Sequence, residues 1–294
     1  MKEIFPYYSI GHFINEPNNR TEFEITEFQN MPEPEVDDPH KHTFYEIIWT
    51  DKGTSRQIID YREYEVMPGT LFFISPGQLH DFDRWHEVKG GSILFTEDFY
   101  LLNQMERDKL FELSFLDNCY DHPILKPNKN SYLEIRHTID LLLSESKRKD
   151  PLRSISQSLL HILLEQIQRC VNNDGKLPVS KKYVVIFKHF KSEIEQHFKS
   201  SLTASDYATR LNVTQHHLNQ VTKEVCGMTA TELIRARSIL ESKRLLTYTD
   251  NTVNEIAAEL GYFDASYFAK LFKADTGASP IAFRDAMSDK YRLK

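Results

Sequence analysis

Two stretches in the C-terminal half of the chain repeat one another, and this repeat restricts the fold more than any other feature. Thr203-x-x-Asp206 and Thr252-x-x-Glu255 are both capping-box signals for a helix start, and they lie 49 residues apart. The same offset aligns Ala208 with Ala257, Leu211 with Leu260, Asn212 with Gly261 and Val213 with Tyr262. After one inserted residue in the second copy, an offset of 50 aligns Leu218 with Phe268, Val221 with Leu271, Lys223 with Lys273 and Gly227 with Gly277. Caps, small residues, turns and apolar positions stay in register, so the segment holds two copies of one supersecondary unit.

Each copy reads as helix, tight turn, helix. Ala208 and Ala257 stand where a larger side chain would push the helices apart, and Asn212 and Gly261 tolerate the left-handed conformation of a sharp turn. Leu218, Val221 and Val225 give one second helix an inward stripe, as Phe268, Leu271 and Phe272 do in the other. The outward faces carry Gln215, His216, Asn219 and Gln220 in copy one, and Ser266, Lys270 and Lys273 in copy two. Amides pair with adenine edges and Lys reaches guanine or phosphate, so these faces suit a helix laid in a DNA groove.

Charge supports the same division. The net charge is −7, but from Ser180 onward 17 Lys+Arg face 13 Asp+Glu, a balance of +4 that leaves −11 for the first 179 residues. Only the back half is suited to phosphate. A 40% hydrophobic content with 12% aromatics, over 294 residues, fits two ordinary globular domains. No run of about 18 apolar residues and no leader pattern stands out, so neither a membrane span nor secretion is expected, and the expected location is cytoplasmic. Cys119, Cys170 and Cys226 are few, scattered and odd in number, which fits a reducing compartment and ordinary buried positions.

The front of the chain, to about Phe95, reads as strands. Phe44–Thr50, Ser55–Tyr61 and Gly69–Ser75 are short, aromatic and β-branched, bounded by Gly, Pro and Asp-Lys-Gly turns, which points to an all-β barrel or sandwich. Within them lie His40-Lys-His42, Glu46 and Gly53, then Gly69, Ser75-Pro-Gly77 and His80. This spacing resembles the two motifs of the cupin barrels, with Ser75 where the second motif has proline. In cupin enzymes the resemblance makes His40, His42, Glu46 and His80 metal ligands; the competing reading is a metal-free effector pocket in which they only hydrogen-bond. Phe82, Trp49 and Trp85 are candidates for apolar walls, or ordinary core.

From Glu97 the period turns helical: one or two short helices to Leu116, then long amphipathic runs over Tyr132–Ser146 and Pro151–Val171. In the last, Leu152, Ile155, Leu159, Ile162, Leu163 and Ile167 fall at steps of three and four, a stripe for the domain's own core or for self-association. Asn172–Pro178 is polar and helix-breaking. The expected organisation is α+β: a cupin-like domain over 1–172, a linker over 173–180, and an all-α DNA-binding domain over 181–294.

Val253–Gly261, Tyr262, Ser266-Tyr-Phe268, Phe272-Lys273, Gly277, Ser279-Pro280 and Phe283-Arg284 closely resemble the signature of AraC-type transcription regulators. Ala236-Arg237 with Glu241–Leu246 is similar to the family's helix joining its two helix-turn-helix units. The departures are Tyr262 for the usual Phe, and Ala230 where copy two has Pro280. The resemblance implies recognition helices at about Thr214–Val225 and Asp264–Ala274, with His216, Asn219 and Gln220 facing bases from copy one and Ala265, Ser266 and Lys270 from copy two. Lys223 and Lys273 would hold phosphate. It implies a non-enzymatic regulator of double-stranded promoter DNA, a homodimer with RNA polymerase as a further partner, whose barrel binds a small-molecule effector at His40, His42, Glu46, His80 and Phe82. No cofactor is assigned; a divalent metal on those histidines and Glu46 is the alternative.

Overall fold

The computed structural model describes residues 7–17, 20–33, 36, 39–60, 62–101, 113–116, 123–172 and 180–291. The chain divides into two compact units, residues 1–177 and 178–294. Of the linker expected over 173–180, all but Ser180 lies outside the described residues, as does Cys119; Cys170 and Cys226 are free and half-buried.

Unit one is built from short strands: β1 Tyr7–Tyr8, β2 Phe23–Glu27, β3 Lys41–His42, β4 Tyr45–Lys52, β5 Ser55–Ile59, β6 Arg62–Val66, β7 Leu71–Ile74, β8 His80–Asp83, β9 Lys89–Phe95 and β10 Ile124–Leu125. One sheet has the order β10-β7-β4-β9-β2, a second β6-β5-β8, and β1 pairs with β3. A two-way backbone bridge between His40 and His80 ties these parts together.

Helices α1 Ile10–Phe13, α2 Glu97–Leu101, α3 Lys129–Ser146 and α4 Arg153–Asn172 complete the unit. β4 shows why its strands read as nearly continuous apolar runs: both faces are covered. Ile47 and Trp49 face the α3–α4 layer with Ile139, Leu142, Leu163 and Ile167, while Ile48 packs in the barrel with Phe72, Ile74 and Val66. Alternation puts Glu46 on the barrel side and Trp49 opposite. Trp49 is therefore no pocket wall; its ring lies under the Arg136 guanidinium at 5.7 Å.

The stripe expected on α4 is split. Leu160, Leu163, Leu164 and Ile167 are fully buried, whereas Leu152 just ahead of α4 and Ile155 and Ile162 on it are exposed, as are Leu133 and Leu141 on α3. The core takes one face of the helix, and a second apolar strip remains on the surface.

Unit two is helical: α5 Lys181–His197, α6 Ala204–Arg210, α7 Gln215–Cys226, α8 Ala230–Tyr248, α9 Val253–Glu259, α10 Ala265–Thr276 and α11 Pro280–Tyr291. From Arg237 to Thr247 every residue of α8 is buried, because helices pack on it from several sides. Its charges are consequently paired. Arg237 Nε donates to both carboxylate oxygens of Glu195 at 2.7 and 2.9 Å, and Glu241 Oε2 accepts from Arg237 Nη1 and Arg244 Nη1, each at 3.0 Å. The Arg237 guanidinium also stacks 3.8 Å from the Phe198 ring centroid.

Candidate DNA-reading faces and barrel pocket

The two repeats form the same object and share their capping boxes and turn bonds. Thr203 Oγ1 accepts the Asp206 N–H at 3.3 Å and Asp206 Oδ2 accepts the Thr203 N–H at 2.7 Å; Thr252 and Glu255 repeat this at 3.3 and 2.6 Å. Both turns use a left-handed residue, Asn212 at φ 55° and Gly261 at φ 80°. The next N–H returns to the buried alanine carbonyl, Val213 to Ala208 and Tyr262 to Ala257, both at 2.9 Å. α7 and α10 then start on side-chain caps, Thr214 accepting from His217 N and Asp264 from Ser266 N, and end at left-handed Gly227 and Gly277.

Gly261 has a reason of its own. A Cβ there would stand 2.5 Å from the Lys199 carbonyl oxygen, where the segment after α5 crosses the turn and Ser201 Oγ donates to the Gly261 carbonyl at 2.8 Å.

Most of the expected readers are available. His216, Gln220 and Lys223 on α7, and Ser266, Lys270 and Lys273 on α10, are exposed; Ala265 is half-buried. Asn219 is committed elsewhere. Its Oδ1 accepts the Ala230 N–H at 3.0 Å, capping α8 from eleven residues away, and the side chain is half-buried. The register explains it: the residues at an offset of 50 are Ala269 and Pro280, and Pro280 has no N–H to satisfy. Two aromatics to which the sequence assigned no reading role, Phe263 and Tyr267, are 99% and 56% exposed at the start of α10.

In the barrel, His42 and His80 place Nε2 atoms 3.5 and 3.6 Å from Glu46 Oε2. Ligand atoms of these three buried residues all lie within 4.8 Å of one another. Ser92 Oγ donates to Glu46 Oε1 at 2.6 Å, and His80 Nδ1 lies 3.2 Å from the Gln78 carbonyl, which can only accept, so Nδ1 carries a proton and turns Nε2 toward Glu46. Both His42 ring nitrogens lack a well-formed hydrogen bond among the described residues. Two imidazole nitrogens and a carboxylate oxygen converging in a buried space can share a proton or a cation, so the donor set fits a divalent metal. Burial pushes the Glu46 carboxyl up, but the hydrogen bonds and charge of His42 and His80 outweigh it and hold it ionised; burial keeps the His42 imidazole below its ordinary value.

His40 stands outside this triplet. Its ring meets His80 edge-on at 4.3 Å between centroids and packs by Phe13 at 5.3 Å. Ser75, the departure from the cupin pattern, uses the N–H that proline would lack: it donates to Gln78 Oε1 at 2.7 Å and closes the turn that delivers His80. A cavity of about 60 Å³ opens beside Glu46 and His80, walled by Phe13, Phe28, Met31, Phe82 and Trp85. A larger groove of about 790 Å³ follows the edge strand β2, and four of its wall charges are paired, Lys147 with Glu27 and Arg153 with Glu22. The small cavity is the better candidate because His40, Glu46 and His80 line it between apolar walls.

Residues 25–163 match the family model of the AraC-like ligand binding domain, and residues 207–286 match a helix-turn-helix domain model. The chain is an AraC-type transcription regulator. The HTH-type transcriptional activator RhaR of Cronobacter sakazakii is 24% identical over 250 residues, spanning 83% of this chain and 86% of that one. Among solved structures, ToxT from Vibrio cholerae aligns with a TM-score of 0.40 at 13% identity, over 90% of this regulator and 98% of ToxT. The DNA-binding domain of AdpA, solved in complex with a target DNA, aligns at 18% identity and a TM-score of 0.35, over 37% of this chain and 97% of that domain. Among the described residues of the AraC-type chain, no helix is long and apolar enough to cross a membrane.

Proposed function

We propose that this regulator reads promoter DNA through α7 and α10, set in successive major-groove segments, and that occupancy of the barrel cavity changes how these helices are presented. The observation that carries the reading is the shared capping boxes and turn bonds of two helix-turn-helix units whose second helices both expose polar faces. His216 and Gln220 face bases from copy one, and Ala265, Ser266 and Lys270 from copy two; Lys223 and Lys273 hold phosphate. Asn219 acts through α8 instead. The role of RhaR as a transcriptional activator makes RNA polymerase a partner, and the chain acts in the cytoplasm without a catalytic step. Leu133, Leu141, Ile155 and Ile162 form the homodimer surface, and the division 1–172, 173–180 and 181–294 stands as its domain plan.

The effector is a small molecule that meets Glu46, His80, His40 and Phe82. At about 60 Å³ the cavity admits only a few-atom ligand unless its aromatic wall, of which Phe82 and Trp85 are half-buried, moves. The convergent triplet favours a second reading, in which His42, Glu46 and His80 hold a divalent metal and the metal is the signal. Such an ion would supply positive charge to an otherwise electron-rich centre, and Ser92 and Gln78 would orient the ligands.

Selection of duplexes from a randomised library by the full chain tests the DNA reading. Lys270→Ala is expected to cost about 1–3 kcal/mol and relax preference at one position, and Lys273→Ala to weaken all duplexes alike and lower the salt slope by about one. Unchanged affinity and preference for both would sink it. Elemental analysis decides the barrel: a stoichiometric metal, lost in Glu46→Gln, removes the metal-free version.

A further inference from the structure

The register between the copies isolates a single residue. Val213 and Tyr262 align at an offset of 49, while the N-caps that follow, Thr214 and Asp264, align at 50. The residue that copy two has and copy one lacks is Phe263. Its side chain is 99% exposed, more than any other exposed large hydrophobic residue among those described.

Local structure gives Phe263 nothing to do. An apolar residue just ahead of an N-cap commonly folds back onto the fourth helical residue as a staple. In α10 that residue is Phe268, which is fully buried and already covered by Tyr262 at 5.2 Å and Phe272 at 6.1 Å between centroids. Tyr262 itself is held by Ser238, hydroxyl to hydroxyl at 3.0 Å. The insertion therefore pushes a whole phenyl ring into water at the head of a recognition helix, the end that meets base edges in this motif. The Asp264 carboxylate that follows is turned back onto Ser266 N at 2.7 Å, so it caps the helix and leaves the approach to the groove to Phe263, Ser266 and Lys270.

We propose that Phe263 is a specificity determinant of copy two, packing on the C5 methyl group of a thymine in the major-groove segment read by α10. The inference rests on the assignment of α10 as a DNA reader. A phenyl ring offers no donor or acceptor, and the thymine methyl is the apolar feature that the major groove presents, so the match is chemical rather than positional. Copy one has no equivalent residue, and its segment carries no such demand for thymine.

The test uses the full chain and a duplex it enriches from a randomised library, with each thymine replaced in turn by deoxyuridine, which lacks only the methyl group. At one thymine on the copy-two side, the replacement is expected to weaken binding about four-fold, the value of one buried methyl at ~0.8 kcal/mol. Phe263→Ser weakens the unmodified duplex at least as much, and the two losses do not add when combined; Phe263→Leu retains most of the affinity. Because the ring is exposed, neither variant disturbs folding, and a thermal melt verifies that. Phe263→Ser binding as tightly as the parent chain, or losses that add fully at every thymine, overturns the contact while leaving α10 a DNA reader. A chain that enriches no duplex, or whose Lys270→Ala form keeps full affinity and preference, overturns the reading of α10 and the contact together.

Discussion

Copy one and copy two of the helix-turn-helix unit share caps, turn bonds and helix ends, yet they reach the same geometry with different residues. Copy two takes its turn with Gly261, packs Phe268 and Phe272 inside, and enters its next helix on Pro280. Copy one takes its turn with Asn212, packs Leu218 and Val221, and enters α8 on Ala230, whose N–H must then be satisfied by Asn219. Copy one spends an outward amide oxygen on its own architecture, and of the three side chains proposed to face bases from it only His216 and Gln220 are fully exposed. Copy two keeps its outward face intact and adds Phe263. A residue counted from the sequence as a reader can thus be structural in one copy because of a single proline in the other.

The comparison breaks most visibly where copy one depends on buried charge. Arg237, 4% exposed, links α8 to Glu195 of α5, the helix that packs on α7. Arg237→Ala leaves Glu241 with less compensation and is expected to destabilise the unit by about 3–5 kcal/mol in a denaturant titration. Lys191, 8% exposed on the same helix, works in the opposite sense: burial pulls its pKa down from 10.5 to about 7, against the pull of Glu195. The unfolded state binds more protons between those values, so stability is lowest below about pH 7 and rises as pH climbs toward 10. Lys191→Met should remove that slope and stabilise the unit at pH 7 by roughly 2–4 kcal/mol. A pH-independent melting temperature in the parent chain would contradict it.

The two turns give the next contrast. Gly261→Ala forces a Cβ into a left-handed position and against the Lys199 carbonyl, and about 2–3 kcal/mol of stability should be lost. Asn212→Gly, at φ 55° in an exposed turn, should stay within about 0.5 kcal/mol. Equal losses would mean that the crossing segment after α5 yields, and that the glycine of copy two is a matter of φ alone.

Much of this was legible in the sequence, because caps, turns and core positions are set by residues within about a dozen of one another. The repeat register, the boxes at Thr203 and Thr252, and the left-handed positions follow from local chemistry. In the barrel, the period of two would have separated Trp49 from Glu46, which lie an odd number apart on β4. What stayed hidden depends on the third dimension. Neither the edge-on seat of His40 outside the His42–Glu46–His80 triplet nor the exposure of Ile155 and Ile162 follows from strand parity or helical period, since α4 has more apolar residues than one buried face needs. Asn219 looked like a base reader because its acceptor role is fulfilled by a helix that starts eleven residues later.

That pairing can be exchanged. Asn219→Ala alone strands the Ala230 N–H, and Ala230→Pro alone strands the Asn219 carbonyl oxygen; each is expected to cost about 1 kcal/mol, moderated by the partial exposure of the site. The backbone already suits proline: Thr229 precedes it at φ −75° and ψ 159°, the extended region that a following proline requires, and Ala230 is the first residue of α8. Combined, the two substitutions recreate the Ala269–Pro280 solution of copy two and remove donor and acceptor together. The double variant should therefore recover most of both losses, with a coupling of about 1 kcal/mol in chemical denaturation. Its affinity for an enriched duplex should match that of the parent chain, because Asn219 holds α8 rather than a base. If the stability coupling appears but affinity and preference fall in both Asn219 variants, the amide serves base and helix at once, and copy one reads with three side chains instead of two.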